Sequence, residues 1–385
     1  MTARLTTDWK LFVPILLLLA FGLVMVYSAS SVVAEVVYER PIWEFAYKQL
    51  RFAGLGLVIL FVLKSIDYRR FNQPHWVLVP LGLVVLMLIG VIFADPVAHR
   101  WYKLPRFNLQ PSEFAKPAIV LFVAWFVAQR EARKKGVNDR HTIGPAALVV
   151  GLTAVLIAVG DLGTAVILLV PAVVIFYVAG IERRYFFMTA ALCLVLFAGF
   201  LIQKPYRIFR IMAPLGITVE MVAENPRLQW LAPIIAESKA ARDPDYQPRQ
   251  SRIAVASGGL TGRGLGQSNQ KLGFLPEAFT DFIFGVAAEE TGFAGCLLLL
   301  GGYLAIFWRG LGLFWRTSDS FGRYLVLGIV SLITTQALVN ISVVIGLGPT
   351  KGLPLPLISY GGSSLLATLT LCGLLLSVSD RAVES

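Results

Sequence analysis

Long apolar runs separated by short polar stretches dominate the chain. A run of about 17 or more apolar residues crosses roughly 30 Å of hydrocarbon as an α-helix. Ten such runs lie near residues 11–33, 43–63, 76–93, 112–128, 143–159, 163–180, 185–202, 282–308, 324–347 and 361–378. The pattern predicts an all-α integral membrane protein, a single domain over residues 1–385, with ten transmembrane helices. A large extracytoplasmic loop, residues 203–277, then joins helices seven and eight.

The composition and the distribution of charge agree with this topology. Apolar residues make up 57% of the chain and charged residues 15%, against roughly 25% charged residues in soluble domains. With both termini in the cytoplasm, the cytoplasmic ends and short loops hold 16 Lys and Arg residues and the short outer loops hold 6, as the positive-inside rule requires. The net charge of +11 therefore reflects topology, and no motif indicates nucleic-acid binding.

The outer loop carries two further patterns. Arg207 and Arg210 in PYRIFRI are three residues apart, which places both on one helical face; contact with lipid headgroups and binding of a substrate phosphate remain equally open. The string SGGLTGRGLGQSNQ holds five glycines, which permit positive φ angles and close backbone contact with a ligand. No βαβ unit surrounds it, so dinucleotide binding is a poor interpretation, and a mobile loop is favoured.

Ionisable residues from several predicted helices share the outer side of the membrane. They are Lys48, Arg51, Glu113, Lys116, Asp161, Asp281 and Lys351, the last beside the segment GLPLPLISYGGSS that contains Ser359 and Ser363. Such groups are costly facing lipid and tolerated where they line a cavity. Glu113 and Lys116 are an i,i+3 pair that can also simply neutralise one another. For Glu289 and Glu290, packing against polar groups inside the bundle is favoured over chemistry.

Asp281 is the strongest candidate for chemistry, because it lies where the long polar loop enters an apolar helix. No Walker motif is present, so the energy for a reaction must arrive in an activated substrate such as a lipid pyrophosphate. Nearby cations would stabilise the departing charge, and Asp281 would take a proton from an attacking hydroxyl. Desolvation must raise its pKa while the cations lower it, and the sequence leaves the balance open.

Five strings resemble the SEDS family (shape, elongation, division and sporulation), in the same order and over nearly the full length. They are NLQPSEFAKPA, DLGTA, PYRIFRI, SGGLTGRGLGQSNQKLGFLPEAFTDFIFGVAAEETG and GLPLPLISYGGSS, and the last, with Lys351, is more similar to the FtsW branch than to the RodA branch. Two departures stand out. Val159 and Gly160 replace a common Gln-Pro before DLGTA, and the outer loop has extra residues around 229–249.

The resemblance implies ten transmembrane helices and a peptidoglycan glycosyltransferase that polymerises lipid II at the outer face of the bacterial cytoplasmic membrane, at the division septum. It places the catalytic aspartate on Asp281, a functional pair on Glu113 and Lys116, and the DLGTA aspartate on Asp161. It also implies a class B penicillin-binding protein as partner, together with other division proteins. The reaction would be inverting, with undecaprenyl-pyrophosphate-linked glycan as donor.

Three questions stay open at the level of the sequence. A divalent cation, Mg²⁺ or Mn²⁺, would suit the pyrophosphate, but its ligands cannot be named; no nucleotide cofactor is expected. A lipid II flippase or another polyprenyl-lipid transporter would use the same polar cavity. A non-catalytic division scaffold is the third alternative. For the enzyme, the expected substrate-binding residues are Lys48, Arg51, Glu113, Lys116, Asp161, Arg207, Arg210, Lys351, Ser359 and Ser363.

Overall fold

The computed structural model describes residues 7–105, 107–133, 140–185, 187–188, 191, 246–348 and 352–382. Within these ranges the helices are α1 (Trp9–Val36), α2 (Glu44–Ser65), α3 (Pro74–Ala94), α4 (Pro111–Ala132), α5 (Arg140–Gly160), α6 (Leu162–Val178), α7 (Tyr246–Ser257), α8 (Ile283–Arg316), α9 (Ser320–Val344) and α10 (Gly362–Ala382). Two 3₁₀ turns, Tyr68–Asn72 and Gln270–Leu272, and one ribbon of β1 (Tyr102–Lys103) and β2 (Asn108–Leu109) complete the described elements. The predicted helical membrane protein is confirmed.

The membrane-spanning helices follow the predicted apolar runs closely. Eight of the described helices are long and apolar enough to cross a bilayer, and α6 is a shorter apolar helix. The fifth and sixth runs are separate helices, because Asp161 caps α6 by accepting a hydrogen bond from the Thr164 amide. The seventh predicted run, 185–202, and most of the outer loop lie outside the described residues. The total of ten spans and the limits of that loop therefore stay predictions.

Helices α4, α9 and α10 form the centre of the bundle. Their apolar spans are 83%, 72% and 78% buried, whereas those of α2, α3 and α8 are 22–28% buried and face lipid over most of their surface. Glycines allow close contact between neighbours: Gly328 of α9 meets Val120 of α4, and Gly373 of α10 meets the backbone of Leu60 in α2. Small residues at such crossings are what membrane helices use to pack, since lipid provides no hydrophobic driving force.

Helix α8 is broken at Gly292, whose φ of 66° and ψ of −167° lie outside the helical region. The break frees backbone groups that would be expensive to leave unpaired near lipid. The glycine loop, residues 258–266, satisfies them. The amides of Arg263 and Gly264 donate to the carbonyls of Glu289 and Glu290, and the amide of Phe293 donates to Gly259.

Buried carboxylates hold the segment that follows the glycine loop. Glu289 accepts hydrogen bonds from the Ser268 hydroxyl and the Asn269 amide, and Glu290 accepts from Ser28 of α1 and pairs with Lys271 at 3.1 Å. The expected polar packing of Glu289 and Glu290 is confirmed. The favoured interpretation of a mobile glycine loop is wrong for its described part. Its glycines serve close approach of two backbones, a role that the glycine pattern alone does not distinguish from flexibility.

Substitutions of these glycines should destabilise the protein. A Cβ at Gly258 would collide with the Ala288 carbonyl, and one at Gly262, which has φ of 80°, with the Glu290 carbonyl. We expect Gly258→Ala and Gly262→Ala to lower the thermal unfolding temperature in detergent, each at a cost of about 1–3 kcal/mol. Gly301→Ala is the matched control, because nothing lies near its Cβ position within α8 and alanine favours helix over glycine by about 1 kcal/mol. Equal unfolding temperatures for all three variants would contradict this account of the loop.

Candidate active site

Residues 352–361, here called the re-entrant segment, run between α9 and α10 and descend among the helices. The carbonyl of Leu357 and the Cα of Ile358 pack against Gly22 of α1, where no side chain would fit. Gly22 lies 13 residues beyond the start of α1, or about 20 Å along its axis. The Tyr303 hydroxyl of α8 donates to the Pro356 carbonyl at 2.5 Å. Non-helical backbone at this depth is stable because protein donors satisfy its carbonyls.

The re-entrant segment holds the turn that carries Asp281. The Asn340 side-chain amide, from α9, donates to the carbonyls of both Asp281 (2.7 Å) and Leu353 (2.6 Å). The Ser359 hydroxyl donates to the Thr280 carbonyl at 2.6 Å. A Cβ at Gly352 would overlap the Asp281 carboxylate. The backbone of the turn is thus held by side-chain donors at both Thr280 and Asp281, and Gly352 leaves room for the Asp281 carboxylate.

Burial decides the protonation of Asp281. Its side chain keeps partial contact with solvent, yet desolvation by the surrounding protein is the largest influence and raises its pKa to about 6. Arg100 lowers the pKa, and the negative charges of Glu277, Asp161 and Glu113 raise it. Desolvation therefore has a larger effect on the pKa of Asp281 than the nearby cation Arg100, a balance that the sequence left open. A carboxylate of this kind is a competent proton acceptor near neutral pH.

Arg100 brings a positive charge to the site from the loop between α3 and β1. Its guanidinium pairs with Asp161 at 2.8 Å. The backbone of this loop packs on the end of α5, where a Cβ at Gly160 would collide with the His99 carbonyl. Gly160 is one of the two residues that replace the Gln-Pro common in the family, and this replacement has a local reason. The missing side chain lets the loop approach α5 and so places Arg100 against Asp161.

Glu113 and Lys116 form a buried ion pair near the N-terminal end of α4. The two side chains are 2.7 Å apart and 2–3% exposed. The Lys116 ammonium also donates to the Gln336 side-chain carbonyl at 2.9 Å, and the Gln336 amide donates to the Pro354 carbonyl at 2.7 Å. The pair neutralises itself, as its spacing allowed, and it is joined to the re-entrant segment through α9.

The other predicted site residues have different surroundings. Lys48 pairs with Glu44 at 2.5 Å at the start of α2, and Arg51 is exposed over the Tyr47 ring. Ser359 serves the Asp281 turn, and Ser363 accepts a hydrogen bond from the Gln110 amide. Arg207, Arg210 and Lys351 lie outside the described residues. Of the predicted cluster, Asp161 and Glu113, with its partner Lys116, lie within electrostatic range of Asp281, and the side of the membrane that they share stays a prediction.

Sequence reasoning missed several residues of this site. Arg100 was counted among the basic residues of a short outer loop, and only the fold brings it to Asp161. Asn340, Gln336 and Gly352 carry no charge and lie in or beside apolar runs. A weak signal existed for the two amides, which are four residues apart in a mainly apolar helix and so share one face.

The described residues contain no group of three or more His, Cys, Asp or Glu side chains that could hold a metal ion. Asp281 could still supply one carboxylate oxygen to a cation whose other ligands are phosphate oxygens and water, the arrangement that Mg²⁺ prefers. The donor chemistry at Asp281 therefore fits a cation that arrives with a pyrophosphate substrate.

Comparisons with known proteins agree with one another. The family model of FtsW, RodA and SpoVE, described as "Cell cycle protein", matches residues 8–384. Stage V sporulation protein E of Bacillus subtilis is 36% identical over 98% of both chains. A probable peptidoglycan glycosyltransferase FtsW of Geobacter metallireducens is 38% identical over 94% of this chain and 92% of its own.

Two solved structures share the fold over nearly the whole chain. The crystal structure of the rod shape determining protein RodA of Thermus thermophilus superposes with a TM-score of 0.67 at 26% identity and covers 99% of both chains. A chain from a structure titled "Structural coordination of polymerization and crosslinking by a peptidoglycan synthase complex" gives a TM-score of 0.69 at 25% identity, over 99% of this chain and all of its own.

Proposed function

From the premise that this chain belongs to the FtsW/RodA/SpoVE family, we propose that it is a peptidoglycan glycosyltransferase that polymerises lipid II at the outer face of the bacterial cytoplasmic membrane. The observation that carries this proposal is Asp281, a carboxylate on a turn whose backbone is held by Asn340 and Ser359, with a pKa of about 6 and Arg100 within electrostatic reach. Several relatives are named probable peptidoglycan glycosyltransferases, which supports the same reaction class.

In the proposed reaction Asp281 accepts the proton of the sugar 4-hydroxyl of an incoming lipid II. The freed oxygen electron pair attacks the anomeric carbon of the growing glycan from the face opposite the leaving group. The bond between that carbon and the pyrophosphate oxygen breaks, undecaprenyl pyrophosphate leaves with the electron pair, and the configuration inverts. The proton then passes from Asp281 to water. Inversion follows from a single displacement, which needs no covalent sugar intermediate.

The cations of the site would receive the diphosphate. Arg100 is 29% exposed and extends toward Asp161 and Asp281, so it is the described cation best placed to stabilise departing negative charge. Lys48 and Arg51 flank the outer end of α2, and Arg207, Arg210 and Lys351 complete the proposed set. A divalent cation, Mg²⁺ or Mn²⁺, would neutralise the remaining charge when bound with substrate.

We assign the protein to cell division, with a class B penicillin-binding protein as its transpeptidase partner. The FtsW names of its relatives support division, and the synthase complex that contains a similar chain supports a crosslinking partner. We further propose that both termini are cytoplasmic and that the protein works at the septum with other division proteins.

Polymer formation separates this proposal from its rivals. The purified protein with its matched transpeptidase is incubated in liposomes with lipid II, and products are resolved by gel electrophoresis. Glycan chains are expected. Translocation of lipid II without polymer would favour a flippase or another polyprenyl-lipid transporter. Transpeptidase binding in a pull-down, with neither polymer nor translocation, would favour a scaffold.

The pH dependence of polymerisation should report Asp281. Because burial raises its pKa from 3.8 to about 6, the carboxyl group is protonated and inactive as a base below that value. We expect kcat/KM to rise about tenfold per pH unit below pH 6 and to level off above it. Steady-state rates between pH 4.5 and 8 measure this, with thermal unfolding at each pH as a control for denaturation. An acidic limb centred near pH 4 would show that Asp281 is solvated, contrary to this description.

A further inference from the structure

Helix α9 presents two buried amide side chains toward the site. Gln336 and Asn340 are 3% and 1% exposed, and their spacing of four residues places them on one helical face. Both donate to consecutive carbonyls of the re-entrant segment: Gln336 to Pro354 at 2.7 Å and Asn340 to Leu353 at 2.6 Å. They therefore hold two consecutive peptide units of the re-entrant segment from a single helix.

Each amide also contacts one of the two charged parts of the site. Gln336 accepts a hydrogen bond from Lys116, the cation of the buried pair in α4, and Asn340 donates to the Asp281 carbonyl. Two chains of contacts result, from Glu113 through Lys116 and Gln336 to Pro354, and from Asp281 through Asn340 to Leu353. They meet between Leu353 and Pro354.

We propose that Gln336 and Asn340 are positioning residues that set the place of Asp281 relative to the Glu113–Lys116 pair. This inference rests on the proposed role of Asp281 as the base. One feature distinguishes it from the mere satisfaction of buried carbonyls. Within the described residues Asn340 Oδ1 has no hydrogen-bond partner although the side chain is 1% exposed. Both donor bonds require the amide nitrogen to face the backbone carbonyls of Asp281 and Leu353, so the oxygen is left unpaired in a buried position, a costly arrangement in a purely structural residue.

The electrostatic surroundings make the Asn340 position sensitive to charge. The charged groups that face Asp281 are Arg100 from the loop before β1, Glu277 from its own loop, Asp161 ahead of α6, and Glu113 of α4 with its partner Lys116. Helix α9 contributes only the two neutral amides here. A negative charge at position 340 would raise the pKa of Asp281, whereas a cavity that admits water would lower it.

Two variants of Asn340 test the proposal through opposite effects. Asn340→Ala removes both donor bonds and opens space, whereas Asn340→Asp keeps the volume, loses the donors and adds a negative charge. We expect both to lower kcat for lipid II polymerisation by about 10- to 100-fold, because small displacements of reacting groups are costly, with KM changed by less than about threefold. The midpoint of the acidic limb should move to lower pH for Ala and to higher pH for Asp. Ser331→Ala in α9 is the control, since that hydroxyl bonds only to Gly328 of its own helix.

Gln336→Glu tests the second contact chain. The carboxylate can still accept from Lys116 but can no longer donate to Pro354, so kcat should fall while the buried pair keeps its partner. Wild-type kcat with an unmoved acidic limb in both Asn340 variants would overturn the proposal. So would a uniform loss of folded protein that leaves kcat per folded molecule unchanged.

Hydrogen–deuterium exchange keeps the test independent of activity. If Asn340 ties the turn to the re-entrant segment, Asn340→Ala should speed exchange in peptides covering 277–283 and 352–361 and leave peptides of α4 unchanged. Unchanged exchange in the first two peptides would also overturn the inference. If Asn340→Ala speeds exchange in these two peptides but the wild-type protein forms no glycan, the proposed function fails, while the contact between Asn340 and the Asp281 turn is still supported.

Discussion

Replacing Asp281 with asparagine is expected to lower glycan polymerisation by about 10²- to 10⁴-fold, the usual contribution of a general base. Asparagine has nearly the same shape, so the contacts of the Asp281 backbone with Asn340 should persist, but its amide cannot accept the proton at neutral pH. Lipid II binding should change little. The measurement is single-turnover polymer formation with the matched transpeptidase, together with a binding assay in the same liposomes.

A carboxylate in the same loop supplies the control for that result. Glu277 is exposed and accepts a hydrogen bond from Thr280. Because its charge raises the pKa of Asp281, Glu277→Gln should move the acidic limb to lower pH, but it should alter the rate on the plateau above that limb by no more than about twofold, as most surface substitutions do. If Asp281→Asn polymerised lipid II at the wild-type rate, the assignment of the base would be wrong. If it lost lipid II binding as well, the residue would belong to substrate recognition.

The second large effect is expected at the buried pair of α4. Lys116→Met leaves Glu113 without its ammonium in a site that is 2% exposed, and such a loss costs about 3–5 kcal/mol. Thermal unfolding in detergent should show a markedly lower midpoint. The double substitution Glu113→Leu with Lys116→Met should recover most of this stability, because it removes the uncompensated charge. It should not recover polymerisation, since the contact with Gln336 is lost too.

Lys48 is a matched control for the Lys116 experiment. It also pairs with a glutamate one turn away, Glu44, but its side chain is 27% exposed. Lys48→Met should therefore cost only about 0–1 kcal/mol. Equal destabilisation by the two lysine variants would mean that burial of the Glu113–Lys116 pair does not govern its contribution.

Hydropathy made most of the membrane architecture predictable. A helix must satisfy its own backbone in lipid, so apolar length alone identifies the spans, and the parity of the spans brings Asp161, Glu113 and Asp281 to one side. Even the division between α5 and α6 was readable from Gly160 and Asp161. These features depend on local composition and on topology, both of which the linear sequence contains.

The parts that could not be predicted depend on contacts between distant segments. Arg100 gains its importance from a loop that fits against Gly160, and the break at Gly292 is stable only because residues 258–264 supply partners for its backbone. Glycine occurs at both places, but the same residue type serves flexibility and close packing. The sequence alone favoured flexibility for the glycine loop, whereas the structure shows close packing. The amides of α9 are uncharged, and only their partners reveal their role.

The break at Gly292 divides α8 into two helical pieces of different length. The 24 residues beyond it extend about 36 Å, enough to cross the hydrocarbon layer unaided. Of the nine residues before it, Gly285 packs against α7 and α9, and Glu289 and Glu290 bind the glycine loop. A transmembrane helix that is longer than the hydrocarbon layer is thick tilts to fit, so its tilt depends on the thickness of the bilayer. Because Tyr303 in the longer piece donates to the Pro356 carbonyl of the re-entrant segment, we expect a change in the tilt of this piece to reach the Asp281 turn, so that the rate depends on the thickness of the host membrane.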